Sequence, residues 1–291
     1  MSKVVIRRAF ADLADGQVHY RHAGEPRAGA LPLLMLHPSP GSSRQLEPLM
    51  TELSRTRRVL APDTRGNGDS TPLPLAQPEI ADYARATLAF MDAAGIERAD
   101  LYGAHTGACI AAELSLLAPG RVGRLVIDGM GLYSAADQDE LLAVYAPEVR
   151  PDLGGSHLLW AFMFCRDQFL FWPWFKREAA HLRNVGLPSA ETLHAFSLEV
   201  LKSISTYHLA YRAAFRYPRR DRLPRITVPA LVVCSPEDMP FPYLDEAASL
   251  VPGGSRRVIP DPRTPEGAAG AAAAIAAFLD GQGGEPPGSP L

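Results

Sequence analysis

The segment LYGAHTGA (101–108) places a single histidine, His105, between two glycines. An imidazole starts from a pKa near about 6.5, which suits proton transfer at neutral pH. A ring of this kind, held beside hydrogen-bond donors, can take a proton from a water, from a hydroxyl or from a carbon next to a carbonyl. His105 is therefore the first candidate for a catalytic base.

Composition limits the kind of partner that such a base could serve. The chain has 291 residues, 47% of them hydrophobic, which is enough for one large domain with an insertion. The 29 basic and 32 acidic residues give a net charge of -3 without a basic stripe, so nucleic acid is not expected as a partner. A small-molecule substrate fits better. The oligomeric state stays open, a homodimer included.

The cysteines and the hydropathy indicate a cytoplasmic protein. Cys109, Cys165 and Cys234 are an odd number at wide spacings, which predicts buried thiols and neither disulfides nor a zinc site. No secretory signal is visible at the start, and no run reaches the roughly 18 apolar residues of a membrane span. No membrane partner, metal or cofactor is expected.

Short apolar runs alternate with helical patterns along most of the chain. The runs at 31–37, 57–63, 99–104, 122–128, 229–235 and 255–261 predict buried parallel strands, preceded by an antiparallel pair at 3–10 and 17–23. Helical patterns at 43–54, 79–94, 106–118, 240–251 and 265–279 separate them. The fold class is thus α/β, a mostly parallel central sheet with helices on both faces.

One long stretch interrupts this alternation. Residues 132–228 are rich in aromatic residues and helical periodicity, and they predict a helical cap inserted into a core formed by 1–131 and 229–279. The aromatic side chains either pack the cap on the core or line a substrate cavity. The Gly/Pro-rich tail, 280–291, is predicted to be disordered.

Three segments resemble motifs of the α/β-hydrolase fold family. They are LHPSPGSS (36–43), similar to its HG-x-PGS oxyanion loop; APDTRGNGDS (61–70), similar to its D-x-R-G-x-G-x-S turn; and GAHTG (103–107), at the place of its G-x-S-x-G nucleophile elbow. The chain also resembles an atypical branch of the family that carries HTG at the elbow and a GSHLL-like stretch in the cap, here 155–159.

The resemblance implies how the site is built. Gly103 and Gly107 would let the elbow close against its neighbours, and an oxyanion hole would be formed by the backbone N–H groups of Thr106 and Ser39. The acid of the family's triad aligns with Asp238, with Glu237 as the neighbouring alternative.

Two of the three triad positions depart from the family. His105 replaces the serine, Thr264 stands where the triad histidine should be, and no histidine follows His208. A serine acyl-enzyme is therefore not expected. The imidazole reaches farther than a serine hydroxyl, so His105 could approach Asp238 directly and form a His–Asp dyad.

These residues predict a cofactor-independent enzyme acting on a small carbonyl compound by general-base catalysis with an oxyanion hole. Hydrolysis, C–C cleavage by a lyase and isomerisation all fit the predicted site. The alternative is a catalytically silent binding protein on the same scaffold. A triad built on Ser39 or Ser42 with a cap histidine, and a metal held by His105, His157 and Asp238, are weaker alternatives.

Three further residues are predicted to bind substrate. His37 ends a strand beside the oxyanion loop, and either orders that loop or contacts the ligand. His157 follows a Gly-Gly pair in the cap, from which it could reach the substrate beside Trp160 or could simply begin a helix.

Overall fold

The computed structural model describes residues 4–281. Its strands are β1 Arg7–Leu13, β2 Gly16–Ala23, β3 Leu33–Leu36, β4 Val59–Pro62, β5 Ala99–Ala104, β6 Val122–Asp128, β7 Ala230–Cys234 and β8 Ser255–Val258. Its helices are α1 Glu47–Leu53, α2 Ile80–Ala93, α3 Thr106–Leu117, α4 Ala135–Glu140, α5 Ser156–Leu170, α6 Ala190–Lys202, α7 Tyr207–Arg216, α8 Arg219–Arg222, α9 Leu244–Leu250 and α10 Pro265–Leu279.

All eight strands form one sheet in the order β1-β2-β4-β3-β5-β6-β7-β8. The first two pairings, β1 with β2 and β2 with β4, are antiparallel, and the others are parallel. The predicted α/β class and mostly parallel sheet are confirmed. The first strand of the leading pair was predicted at 3–10, but β1 lies at Arg7–Leu13. It extends to Leu13 because that residue still pairs with Gly16 of β2, so the turn between the strands has only two residues. The predicted disordered tail lies outside the described residues, apart from Asp280 and Gly281.

Alternate residues of each strand face opposite sides of the sheet, and helices cover both sides. Leu33 and Met35 pack with α1 and α10, whereas Leu34 and Leu36 pack with α2, α3 and α9. This is the period-2 pattern of a strand buried on both faces. The three cysteines are buried and unpaired, as predicted.

The stretch between β6 and β7, all of it described, contains α4 to α8 and no strand of the sheet. It has its own hydrophobic cluster of buried and half-buried side chains, which includes Tyr145, Phe164, Trp174, Val200 and Tyr207. Many of these rings contact one another at centroid distances of 4.8–6.5 Å. The helices of this stretch therefore pack on each other through aromatic side chains, and α7 also packs on α2 and α3.

Two glycines allow β5 and α3 to meet in a tight turn. A Cβ at Gly103 would lie 2.2 Å from the carbonyl oxygen of Gly107, and a Cβ at Gly107 would lie 2.1 Å from the carbonyl oxygen of Leu36. Both distances are far below van der Waals contact, and the opposing atoms are main-chain atoms that cannot rotate away. Any side chain at either position would push α3 away from the sheet.

We expect Gly107→Ala to destabilise the protein by about 1–3 kcal/mol, because the added methyl group overpacks a main-chain contact. Gly120→Ala is the matched control, since a Cβ there meets nothing within 4 Å. Urea unfolding followed by circular dichroism measures both variants. Equal free energies of unfolding for the two variants would show that the turn can accept a methyl group at position 107, and would contradict the expectation.

Candidate active site

The turn between β5 and α3 holds His105 in a backbone conformation that is rare for a residue with a side chain. Its φ is 50° and its ψ is -106°, and among the described residues it is the one non-glycine with positive φ. Such a conformation costs of order 1–3 kcal/mol and persists where surrounding contacts impose it. Here the N–H of His105 donates to the carbonyl of Asp128 on the neighbouring strand, at 2.9 Å.

The ring of His105 reaches Asp238, which follows β7. Nε2 of His105 lies 2.8 Å from Oδ2 of Asp238. The side chain of Asp238 is 8% exposed and that of His105 25%, so the acid is buried while the ring is partly open. The neighbouring Glu237 is exposed and bonds to Ser235 instead.

The two side chains shift each other's pKa. For Asp238 burial favours the neutral acid, but the charge and hydrogen bond of His105 outweigh it, so the pKa of Asp238 is lowered. For His105 burial lowers the pKa, but the charge and hydrogen bond of Asp238 outweigh that effect, so its pKa is raised above the ordinary 6.5. An ionised Asp238 can only accept, so Nε2 carries the proton and Nδ1 is the free nitrogen.

An arginine in the loop before α10 lies beside Asp238. Arg263 lies 3.8 Å from Oδ1 of Asp238, and Asp261 holds its guanidinium through contacts of 2.8 and 2.9 Å. Thr264, which aligns with the triad histidine, caps α10 by accepting the N–H of Gly267 at 3.0 Å. The sequence analysis missed Arg263, although its place beside Thr264 could have pointed to it.

The two residues predicted to supply backbone donors lie at the same space. Thr106 is the first residue of α3, so its N–H has no acceptor one turn earlier in the helix. Thr106 and Ser39 both line the cavity described below. The Oγ of Ser39 is buried and has no hydrogen-bond partner among residues 4–281.

The loop that carries Ser39 is held from two sides. His37 accepts the N–H of Thr64 on Nε2 at 2.9 Å, so its Nδ1–H donates to the carbonyl of Pro38 at 2.8 Å. Burial lowers the pKa of His37, in keeping with a neutral ring. From the other side, Oγ of Ser42 donates to Glu199 of α6 at 2.6 Å.

The three residues predicted to bind substrate do not line the cavity. Both ring nitrogens of His37 are used by the main chain, so it orders the loop. His157 lies 3.3 Å from Asp152 at the start of α5, so it belongs to the helix N-terminus. Trp160 stacks on Phe164 at 4.8 Å within the aromatic cluster. Their positions in the sequence suggested that all three lie near the site, but their side chains point elsewhere.

The cavity itself has a volume of about 910 Å³. Its floor contains His105, Thr106, Asp128 and Asp238, and its other walls carry aromatic rings and arginines that the sequence analysis did not single out. They are Tyr133, Tyr145, Trp172, Tyr211, Phe215, Arg183 and Arg219. A concave space of this size with a few polar groups is typical of a site for a small organic molecule.

Among the described residues, His19, Asp63 and Asp69 are close enough together to be considered as metal ligands. The carboxylate of Asp63, however, already contacts His19 at 2.8 Å and accepts the N–H groups of Ser43 and Asp69. These contacts satisfy the carboxylate within the protein. The three residues also lie outside the cavity of His105.

No helix of residues 4–281 is both long enough and apolar enough to cross a bilayer.

The sheet order, the turn after β5 and the acid after β7 define the α/β-hydrolase fold, and the chain has this fold. A family described as having the alpha/beta hydrolase fold matches residues 32–148. A solved enol-lactonase from Burkholderia xenovorans LB400 is similar over 93% of this chain and 99% of its own, with a TM-score of 0.68 at 20% identity. A solved hydrolase from Pseudomonas aeruginosa PA01 is equally similar, with a TM-score of 0.68 over 94% and 98% of the two chains at 20% identity.

Among curated relatives, a 2-hydroxy-6-oxononadienedioate/2-hydroxy-6-oxononatrienedioate hydrolase of Pseudomonas putida is 36% identical over 44% of this chain and 46% of its own length. A 2-hydroxymuconate semialdehyde hydrolase of Pseudomonas sp. (strain CF600) is 38% identical over 39% of this chain and 41% of its own. The match thus spans less than half the length of these relatives, and both relatives are named as hydrolases.

We expect His105 to titrate above pH 6.5 in the wild type and below it in Asp238→Asn, because burial and the charge of Arg263 remain and both lower its pKa. The protonated ring stabilises the fold at low pH, and this contribution is lost as pH rises through the raised pKa. NMR titration of the ring resonances measures the shift. Glu237→Gln, with its exposed side chain, should leave the titration of His105 unchanged, and an unshifted His105 in Asp238→Asn would contradict the dyad.

Proposed function

We propose that this chain is a cofactor-independent hydrolase of small carbonyl compounds in which His105 is the general base. The observation that carries the proposal is the strained turn that points the ring of His105 into the cavity, with Nε2 fixed 2.8 Å from Asp238. Strained backbone of this kind is concentrated at functional sites. The named hydrolase relatives agree with this class of reaction.

The chemistry follows from the ring nitrogens. Nδ1 of His105 takes a proton from a water in the cavity, and the water oxygen attacks the carbonyl carbon of the substrate. The N–H groups of Thr106 and Ser39 then stabilise the negative charge that develops on the carbonyl oxygen. General-base catalysis typically raises the rate by about 10²–10⁴, and each oxyanion donor by about 10²–10³. Together, the base and the two donors support turnover without a covalent intermediate.

The serines near the site lack the partners of a nucleophile. Ser42 donates to Glu199, and Ser39 has no base beside its Oγ. The nearest imidazole in the loop, His37, has both nitrogens engaged. A serine triad in this loop is therefore disfavoured, and a water activated by His105 is the simplest nucleophile.

Substrate class follows from the walls of the cavity. The aromatic rings suit a planar or apolar substituent, and the arginines suit polar or anionic oxygens. The relatives are named for 2-hydroxy-6-oxo unsaturated acids, in which a C–C bond lies next to a ketone. We propose the same general class, a ketone or ester with an unsaturated or aromatic substituent.

We expect His105→Ala and Asp238→Asn to lower kcat/KM by about 10²–10⁴ while leaving the unfolding transition in place, because each removes general-base catalysis. Phenyl acetate, p-nitrophenyl acetate and 2-hydroxy-6-oxo-6-phenylhexa-2,4-dienoate are the probes. His194→Ala and Glu237→Gln, both exposed and outside the cavity, are the controls. Full turnover by His105→Ala would overturn the proposal. If the wild type turns over none of the probes but binds them with an affinity that both variants retain, the chain is a binding protein.

We expect His105→Ser to remain inactive and unlabelled by a fluorophosphonate probe. The variant restores the serine of the family motif, but the position of the triad histidine holds Thr264, beside Arg263. A hydroxyl without a base is a weak nucleophile. Labelling is followed by intact-mass spectrometry. A stoichiometric adduct would show that another group in the cavity can act as the base for a serine.

A further inference from the structure

Asp128 is a second buried carboxyl group beside the His105–Asp238 pair, and the mechanism above does not use it. It is the last residue of β6, it pairs with Ala104 in the sheet, and its carbonyl accepts the N–H of His105. The residue is 4% exposed, and it lines the same cavity as His105.

The two carboxyl groups have different hydrogen-bond partners. Asp238 contacts His105, accepts the N–H of Met239 at 3.0 Å and lies 3.8 Å from Arg263. Among residues 4–281 the side chain of Asp128 has one partner, the O–H of Tyr102, which donates to Oδ2 at 2.5 Å. Asp238 is therefore stabilised as an anion, whereas Asp128 has only a neutral donor.

Burial dominates the electrostatics of Asp128. The titratable and charged groups that act on it are Tyr102 on β5, His105 in the turn, Asp238 after β7 and Arg263 before α10. Burial raises the pKa of Asp128 to about 7 and the charge of Asp238 adds to this effect, whereas the hydrogen bond of Tyr102 and the charges of His105 and Arg263 oppose it. Its proton is thus exchangeable near neutral pH.

Asp128 is also close enough to the dyad to serve the same substrate. Gly129, the next residue, has a φ of 66°, and a Cβ there would lie 3.1 Å from Nε2 of His105 and 3.2 Å from Oδ2 of Asp238. The main chain leaving Asp128 therefore packs directly against the pair. Asp128 and His105 therefore line one cavity from the ends of two neighbouring strands.

We propose that Asp128 is the general acid of the reaction and protonates the leaving group while His105 acts as the base. This inference rests on the proposed function. The water gives one proton to Nδ1 of His105 and forms the new C–O bond; the bond to the leaving group breaks with its electron pair, which takes the proton of Asp128. The proton on His105 then passes through cavity water to the Asp128 carboxylate, which restores the starting state.

The proton on Asp128 can be measured without any substrate. Infrared spectra of the wild type between pH 5 and 9 should contain a protonated-carboxyl band that titrates near pH 7 and is absent in Asp128→Asn. Asp100→Asn is the matched control: burial also raises the pKa of Asp100, at the opposite end of β5, to about 6, so this variant should lose a band that titrates near pH 6 and keep the one near pH 7. If the Asp128→Asn spectrum keeps the band that titrates near pH 7, the proposal is overturned.

A pair of esters then tests the acid in turnover. Phenolate is a basic leaving group that needs a proton, whereas p-nitrophenolate departs without one. Asp128→Asn should lower kcat/KM for phenyl acetate by about 10²-fold and leave that for p-nitrophenyl acetate little changed. Asparagine resembles the protonated carboxyl in shape and still offers an oxygen to Tyr102, so the fold is expected to persist.

The outcomes separate this inference from the proposed function. An equal loss on both esters in Asp128→Asn assigns Asp128 a structural role and overturns the acid, while the function of His105 stands. Unchanged turnover in His105→Ala overturns the proposed function instead. Tyr102→Phe supplies a further check, since loss of its hydrogen bond should move the infrared titration of Asp128 to higher pH.

Discussion

The site depends on one turn in which a side-chain-bearing residue has left-handed backbone. His105 is held there because β5 ends and α3 begins within one residue, and because the glycines at 103 and 107 allow main-chain atoms to touch. With the turn in place, the ring must project from the carboxyl edge of the sheet, where parallel strands also deliver Asp128 and Asp238. The conformational strain is confined to this turn, but the turn fixes the position of the His105 ring relative to Asp128 and Asp238.

The electrostatics of the site follow from the direct contact between His105 and Asp238. A serine triad places one histidine between a hydroxyl and an acid, whereas here the ring from the elbow contacts the acid itself. On its other side Asp238 lies 3.8 Å from Arg263, a permanent cation held by Asp261. Within the described part of the chain Asp128 has no cationic hydrogen-bond partner, and burial, to which the charge of Asp238 adds, raises its pKa to about 7.

Much of the fold and part of the site could be predicted from the sequence, because those features are local. The strands, the elbow and Asp238 are encoded in apolar periodicity and short motifs. Asp128 and Tyr102 could not be found in this way, since their meeting depends on which strands are neighbours and on which way each side chain points. The same reason explains why His157 and Trp160 do not line the cavity. Their positions in the chain suggested the cavity, but helix α5 turns one to its own N-terminus and the other into the aromatic cluster.

The contact between Ser42 and Glu199 has a mechanical consequence. Glu199 belongs to α6, is almost fully buried and is also held by Lys202 at 3.2 Å and Arg44 at 3.6 Å. A buried carboxylate cannot leave such partners without being hydrated, so lifting α6 would pull on the segment that bears Ser39. The position of α6, which lines the cavity, and that of the loop bearing Ser39 are therefore linked. Dissolved salt screens the partly exposed charges of Lys202 and Arg44, so high ionic strength would weaken the contacts that hold α6 and this loop together.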